Sequence, residues 1–511
     1  MKRVSLTTLL LAFFVTLNLL LIYFLMFDTQ ILTTLFNRFE EETVITSTRE
    51  PEEDVSALHQ LTNPAIEQII TPYKLVVQED AQRYDVNYYA TLEEVMALLA
   101  NQPFELDDNH VETDPAMFQA IYEQNFVELI YPTRFSVPTL RRLIEIPTDL
   151  STQFELNRIV IPEGQATTVY LIDTINETYI QATLQDEDMK ADLFALIKSV
   201  RDEQWLPVEA YQLNEQIVYL PTYETLASSQ VYTLDELPDS LFLNEVFPNS
   251  NYDISEPDEN NIRSYHTLLT SLLINDTTNI MTINHTFPSI NNSQNITRDM
   301  ILSEEKMRYS YPYIQAYEYW PGDIRLYEEQ NNVLTYRRFL NGLPIYVAQG
   351  LPDYGATQVT LRTNSTIEVF RFRMPLVVLG THIHDMSQVY DIESAEQIEA
   401  ALIEQGLSFS SFDNIILGYE WQDDMENFKK VTLIPKWFFY INNHYYSMDQ
   451  LRDGTVRGYI DQQSTFGING ANLNVQTASI AFSEMKGTDG TFPLGQQVAS
   501  KRRSGPWKET H

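Results

Sequence analysis

The residues best placed by type to do chemistry are His382 and His384, which follow the apolar run Leu376-Val377-Val378-Leu379 as Gly380-Thr381-His382-Ile383-His384-Asp385. A His-x-His pair at a strand end puts both imidazoles on one side, as hydrolytic zinc sites require. Two ligands do not complete such a site. The zinc-hydrolase pattern wants an Asp two residues after the second His, and position 386 is Met. A barrel-based hydrolase would need far more chain than follows His384. The other histidines, His59, His110, His266, His285, His444 and His511, form no companion motif. Ser303-Glu304-Glu305-Lys306 and Ser483-Glu484-Met485-Lys486 match the Ser-x-x-Lys pattern of nucleophilic serine enzymes. The rest of that constellation is missing, since Lys486-Gly487-Thr488 is not Lys-Thr-Gly and no Ser-Asp-Asn lies between. Phosphate-binding glycine loops, calcium loops and cysteine-based zinc sites are also absent, and pairs such as Asp107-Asp108 are commonplace in an acidic chain. The sequence therefore nominates no catalytic, cofactor-binding or metal-binding residue.

The elements that would have to position these groups alternate in blocks. Thr91 with Glu94 reads as a capping box ahead of Val95, Met96, Leu98 and Leu99, and Met189, Leu193, Leu196, Ile197 and Val200 follow one helical face. Ser394 with Gln397 opens another helix, which Gly406 ends. Strands are expected at 168–173, 333–340, 343–347, 358–363, 366–372 and 431–440, with Asn341-Gly342 as a hairpin turn between two of them. The expected fold class is α+β, with antiparallel sheets and packed helices in a multi-domain ectodomain behind an N-terminal transmembrane helix.

That last expectation rests on Val4 to Phe27, which holds no charge and follows Lys2 and Arg3. Such a stretch is long enough to cross the hydrocarbon layer, and two basic residues before it keep the N-terminus in the cytoplasm. No Ala-x-Ala cleavage pattern follows, so the reading is a retained signal anchor and a single-pass protein of the cell membrane, with its C-terminal part outside. Polar breaks divide the rest. The boundaries read as 1–28 for the cytoplasmic tip and anchor, 29–60 for an acidic stalk, 61–225 for an N-terminal ectodomain, 226–385 for a middle α+β domain, 386–490 for a C-terminal α+β domain, and 491–511 for a basic tail.

Composition narrows the partners. The chain has 511 residues, no cysteine, and 33 Lys/Arg against 71 Asp/Glu, a formal net charge of −38. Nucleic acid and anionic polymers are repelled by such a field. A cysteine-free exported chain fits a bacterial surface, that of a Gram-positive organism above all, better than a eukaryotic one, despite sequons at Asn176, Asn275, Asn284, Asn291, Asn295 and Asn364. Within the anchor, Val4, Thr8, Leu11, Val15, Asn18, Ile22 and Leu25 follow spacings of four and three, the seam of a left-handed helix pair. Thr8, Leu11, Val15, Asn18, Ile22 and Leu25 are thus the candidate transmembrane partner interface. The Asn18 amide would either share hydrogen bonds with a partner helix or bond back to its own.

The series Tyr219-Leu220-Pro221, Leu237-Pro238-Asp239-Ser240-Leu241-Phe242 with Val246-Phe247-Pro248, and Tyr336-Arg337-Arg338-Phe339-Leu340-Asn341-Gly342-Leu343-Pro344-Ile345 resembles the YycH (WalH) family. Ile415-Ile416-Leu417-Gly418-Tyr419 and Leu433-Ile434-Pro435-Lys436-Trp437 look like that family's closing hairpins. The resemblance implies a regulator without chemistry of its own: a single-pass extracytoplasmic accessory of the YycG (WalK) sensor histidine kinase, acting with a YycI-like single-pass protein in control of cell-wall metabolism. It needs no cofactor. A surface-anchored hydrolase acting on wall polymer is the alternative from a different class.

Overall fold

The protein is described here by a computed structural model covering residues 66–460, apart from 87–88, 101, 103, 107–110, 143–153, 165–166, 215, 249–251, 287–302, 331, 349–350, 364–366 and 424–428. Two large sheets dominate it. The first has nine strands, all antiparallel, running from Phe104–Leu106 at one edge through Thr178–Leu184, Thr168–Asp173, Glu155–Pro162, Phe126–Ser136, Lys74–Glu79, Gln82–Val86 and Trp205–Gln212 to Ile217–Pro221 at the other. Side chains alternate between its faces. Val77, Val127, Leu129, Ile159, Ile161 and Leu171 pack with the helices Tyr89–Leu99 and Glu187–Ser199 through Val95, Leu99, Leu193 and Ile197. Phe126, Val160, Tyr170 and Ile172 face the other way, against Phe118 and Ile121 of the helix Pro115–Ile121. Both faces are covered, which is why these strands read as continuous apolar runs rather than alternating ones.

The second sheet has fourteen strands between Gln230–Glu236 and His444–Ser447 in chain order. Its face carries the helix Ser303–Tyr317, whose Met307 and Ile314 are buried. The hairpin joining Val333–Leu340 to Leu343–Val347 turns at Asn341 and Gly342, with φ of 50° and 79°. Both central residues are left-handed, the backbone that Asn-Gly supplies at least cost. One pairing departs from the antiparallel expectation: Leu343–Val347 lies parallel to Asn414–Asp423. The intervening chain is long enough to make the crossover that a parallel pair demands.

Local signals in the sequence did not all resolve as expected. The helix Ala395–Glu404 does carry the Ser394/Gln397 capping box, and Gly406 beyond it has φ +66°. Thr91, however, lies inside the helix Tyr89–Leu99, and its hydroxyl donates to Gln204 Oε1 at 2.7 Å instead of capping.

The expected membrane-spanning helix does not stand, nor does the single-pass placement at a cell membrane with the N-terminus inside and the C-terminal part outside. Among the described residues, no helix is long and apolar enough to cross a membrane. The longest of these, Ser303–Tyr317, has 15 residues and contains Glu304, Glu305, Lys306 and Arg308. It rises about 22 Å, against roughly 30 Å of hydrocarbon. Val4 to Phe27 lies outside the described residues, as do Thr8, Leu11, Val15, Asn18, Ile22 and Leu25.

Candidate functional site

The strand Val377–His382 pairs with Gln230–Glu236 and delivers His382 opposite Tyr232. The Tyr232 and His382 rings lie 4.7 Å apart, and His382 Nδ1 is 3.2 Å from His384 Nε2. Desolvation, with His384 as a smaller contributor, holds the His382 imidazole below its ordinary value. The two rings thus engage each other, where a metal pair would converge on a common ion. Among the described residues, no group of three or more His, Cys, Asp or Glu could hold a metal ion. Lys306, expected beside Ser303 in the serine-lysine pattern, is bonded to Glu329 across to the strand Ile324–Gln330. Ser483, Lys486, Asp107 and Asp108 lie outside the described residues.

What the structure concentrates instead is a set of buried arginines around the second sheet. Arg338 is fully buried and donates to Glu318 Oε1 at 2.7 Å and to Val377 O at 2.8 Å, over the Trp320 ring. Thr357 donates to the other Glu318 oxygen at 2.5 Å. The neighbouring Arg337 points to the opposite face, donating to Ile345 O at 2.7 Å beneath the rings of Tyr346, Tyr327 and Tyr445. Arg325 reaches Pro72 O at 2.9 Å and so ties the entry to the first sheet onto the second. Guanidinium groups suit this work because each offers five donors on a flat, weakly hydrated head that also stacks on rings. Sequence reading had no means of finding Glu318 or Thr357, since neither stands in a motif with Arg338.

A cavity of about 460 Å³ lies between the two sheets. Lys74, Arg158, Ile217 and Tyr219 form one wall, Asn341 to Pro344 of the hairpin another, and Ile415 to Leu417 with Trp437 a third. Its volume falls in the range of ligand pockets, about 300–1,000 Å³. Arg158 is paired with the buried Glu128 at 2.9 Å, and Lys74 with Asp85 at 2.9 Å. Burial is the largest single influence on Arg158 and acts to lower it, but Glu128 together with Tyr219 and Tyr122 outweighs burial and holds the guanidinium above its ordinary range.

Residues 5–201 match the family model described as the YycH protein N-terminal domain, and residues 215–454 match its C-terminal domain. The chain belongs to the YycH family. Its role is that of the family, a non-catalytic regulator in the YycG (WalK) two-component system that governs the cell wall. Nine solved chains match, among them "Crystal Structure of YycH from Bacillus subtilis", with a TM-score of 0.58 and 14% identity over 76% of this chain and 97% of that one. A likeness at that identity speaks for the fold. No curated protein matches. Tyr219-Leu220-Pro221 is the end of the last strand of the first sheet, and Tyr336 to Ile345 is the arginine-bearing hairpin. They mark the YycH scaffold and the joint between its sheets rather than a reaction centre.

Proposed function

We propose that this YycH-family chain modulates its sensor kinase by direct protein–protein contact, jointly with a YycI-like partner, and by no covalent chemistry of its own. The observation that carries the reading is the match of both family domains in their order, over residues 5–201 and 215–454. The His382–His384 contact and the pairing of Lys306 with Glu329 agree with it, because each removes a candidate for catalysis. The net charge of −38 favours partner surfaces with complementary basic patches, so association weakens as salt rises.

The test is reconstitution of kinase autophosphorylation with and without the purified chain and the YycI-like protein, together with co-purification of the three. A change in phosphorylation that needs the chain, with complex formation falling between low and high salt, is the expected result. Unchanged phosphorylation without complex formation overturns it. Hydrolysis of wall fragments that is lost in His382→Ala would favour the hydrolase reading instead.

A further inference from the structure

The strand Ile217–Pro221 ends the first sheet, with no strand beyond it among the described residues, and it forms part of the cavity wall. The phase of its ladder is fixed at both ends: Leu213 donates to Gln216 O at 2.8 Å and Thr222 to Pro207 O at 3.1 Å. Bonded and non-bonded pairs alternate along an antiparallel ladder. Val218 and Leu220 therefore exchange bonds with Tyr211 and Glu209, while the backbone groups of Ile217 and Tyr219 face the open edge.

Only half of that edge is satisfied. Arg158 donates to Ile217 O, and Lys74 Nζ donates to Tyr219 O at 3.0 Å. Lysine and arginine carry donors alone, so neither can serve the N–H groups of Ile217 and Tyr219. Among the described residues those two N–H groups have no acceptor, although Tyr219 is only 3% exposed. A backbone donor in so buried a residue calls for a partner. Lys74 and Arg158 are each already neutralised, by Asp85 and Glu128, so the wall has no surplus cation to attract an anionic head group. Around the edge stand Leu75, Ile392, Ile415, Leu417 and Trp437.

Backbone donors at alternate residues, beside an apolar hollow without net positive charge, are the recognition chemistry of an added strand. We propose that the cavity binds an uncharged extended peptide segment of about five residues, whose carbonyls at alternate positions accept from the Ile217 and Tyr219 N–H groups while Arg158 and Lys74 keep the edge carbonyls, and whose alternate apolar side chains enter the hollow. The inference stands apart from the kinase reading, because a synthetic peptide suffices to test it.

The probe is a fluorescently labelled, acetylated and amidated Val-Thr-Val-Thr-Val peptide, titrated by anisotropy into the purified full chain, with decanoate as the non-peptide competitor. Ile217→Pro deletes an N–H that the ladder does not use, whereas Ile217→Ala keeps it and removes only the side chain. Leu343→Trp fills the hollow from the hairpin opposite and supplies a second variant should the proline chain fail to fold. Saturable binding by the wild type is expected, weakened about tenfold by Ile217→Pro, lost in Leu343→Trp, and kept within roughly threefold by Ile217→Ala. Equal binding by the wild type and a folded Ile217→Pro overturns the proposal. So does displacement by decanoate at matching concentration, or the absence of saturable peptide binding.

Discussion

Glu318 is 1% exposed and gives both oxygens away: one to Arg338 and the Trp320 backbone, the other to Thr357. Removing it leaves a fully buried guanidinium without a counter-charge, and breaking such a pair costs about 3–5 kcal/mol. Glu318→Ala should therefore lower the unfolding free energy by that amount, seen as a lower urea midpoint at unchanged slope. Glu305→Ala supplies the contrast, because its partner Arg308 lies 3.9 Å away and both side chains are largely exposed. That change should stay within about 0.5 kcal/mol. Arg337 and Arg338 were visible in the sequence as part of a resembling motif. Their opposite directions follow from strand alternation, but their carboxylate partners, Glu318 and Asp353, stand in connections outside the strands and could not be read from spacing.

Elements were more legible where the signal is purely local. Asn341-Gly342 announces its turn because only residues tolerant of positive φ fit both central positions. Gly342→Ala should cost about 1–2 kcal/mol, the strain of a Cβ in left-handed backbone, and should loosen the hairpin that walls the cavity. Its thermal unfolding, compared with that of the wild type, checks this. Ser394→Ala breaks the capping box on Gln397 and should cost about 1 kcal/mol, measurable in the same way. Thr91 shows the limit of such reading. A Thr-x-x-Glu pattern fits a helix start or a helix interior equally, and the bond to Gln204, 113 residues away, selects the interior. The parallel pairing of Leu343–Val347 with Asn414–Asp423 was invisible for the same reason.

Across the whole molecule, buried phenols govern the response to alkali. Burial raises Tyr73, Tyr131 and Tyr336 well above the ordinary value of 10, in each case as the largest cause. Below about pH 10 both folded and unfolded chains keep these protons, so the stability they contribute is fully present. As pH rises further the unfolded chain ionises first, binds fewer protons, and is favoured, so stability falls toward the raised folded values. Lys190 works in the opposite sense over an earlier window. Desolvation lowers it from 10.5 to about 8, so between these values the unfolded chain holds the extra proton and stability rises with pH. Urea midpoints at pH 8, 9.5 and 11 should show a small gain followed by a larger loss. A midpoint still climbing at pH 11 would contradict the assignment of buried phenols as the dominant groups.

By itself the sequence determined the α+β class, the positions of a minority of the strands, the hairpin turn, the lack of a recognisable catalytic motif and the family resemblance. Each of these depends on neighbours within a few residues or on an ordered series of them, so it survives in one dimension. The tertiary structure alone decided which arginine meets which carboxylate, how His382 and His384 turn upon each other, and where a sheet edge is left open. Those outcomes depend on pairings such as Lys74 with Tyr219, 145 residues apart, which arise only once the sheets have closed on one another and water has been displaced. The cavity and its half-satisfied edge are products of that closure, and no local pattern in the chain records them.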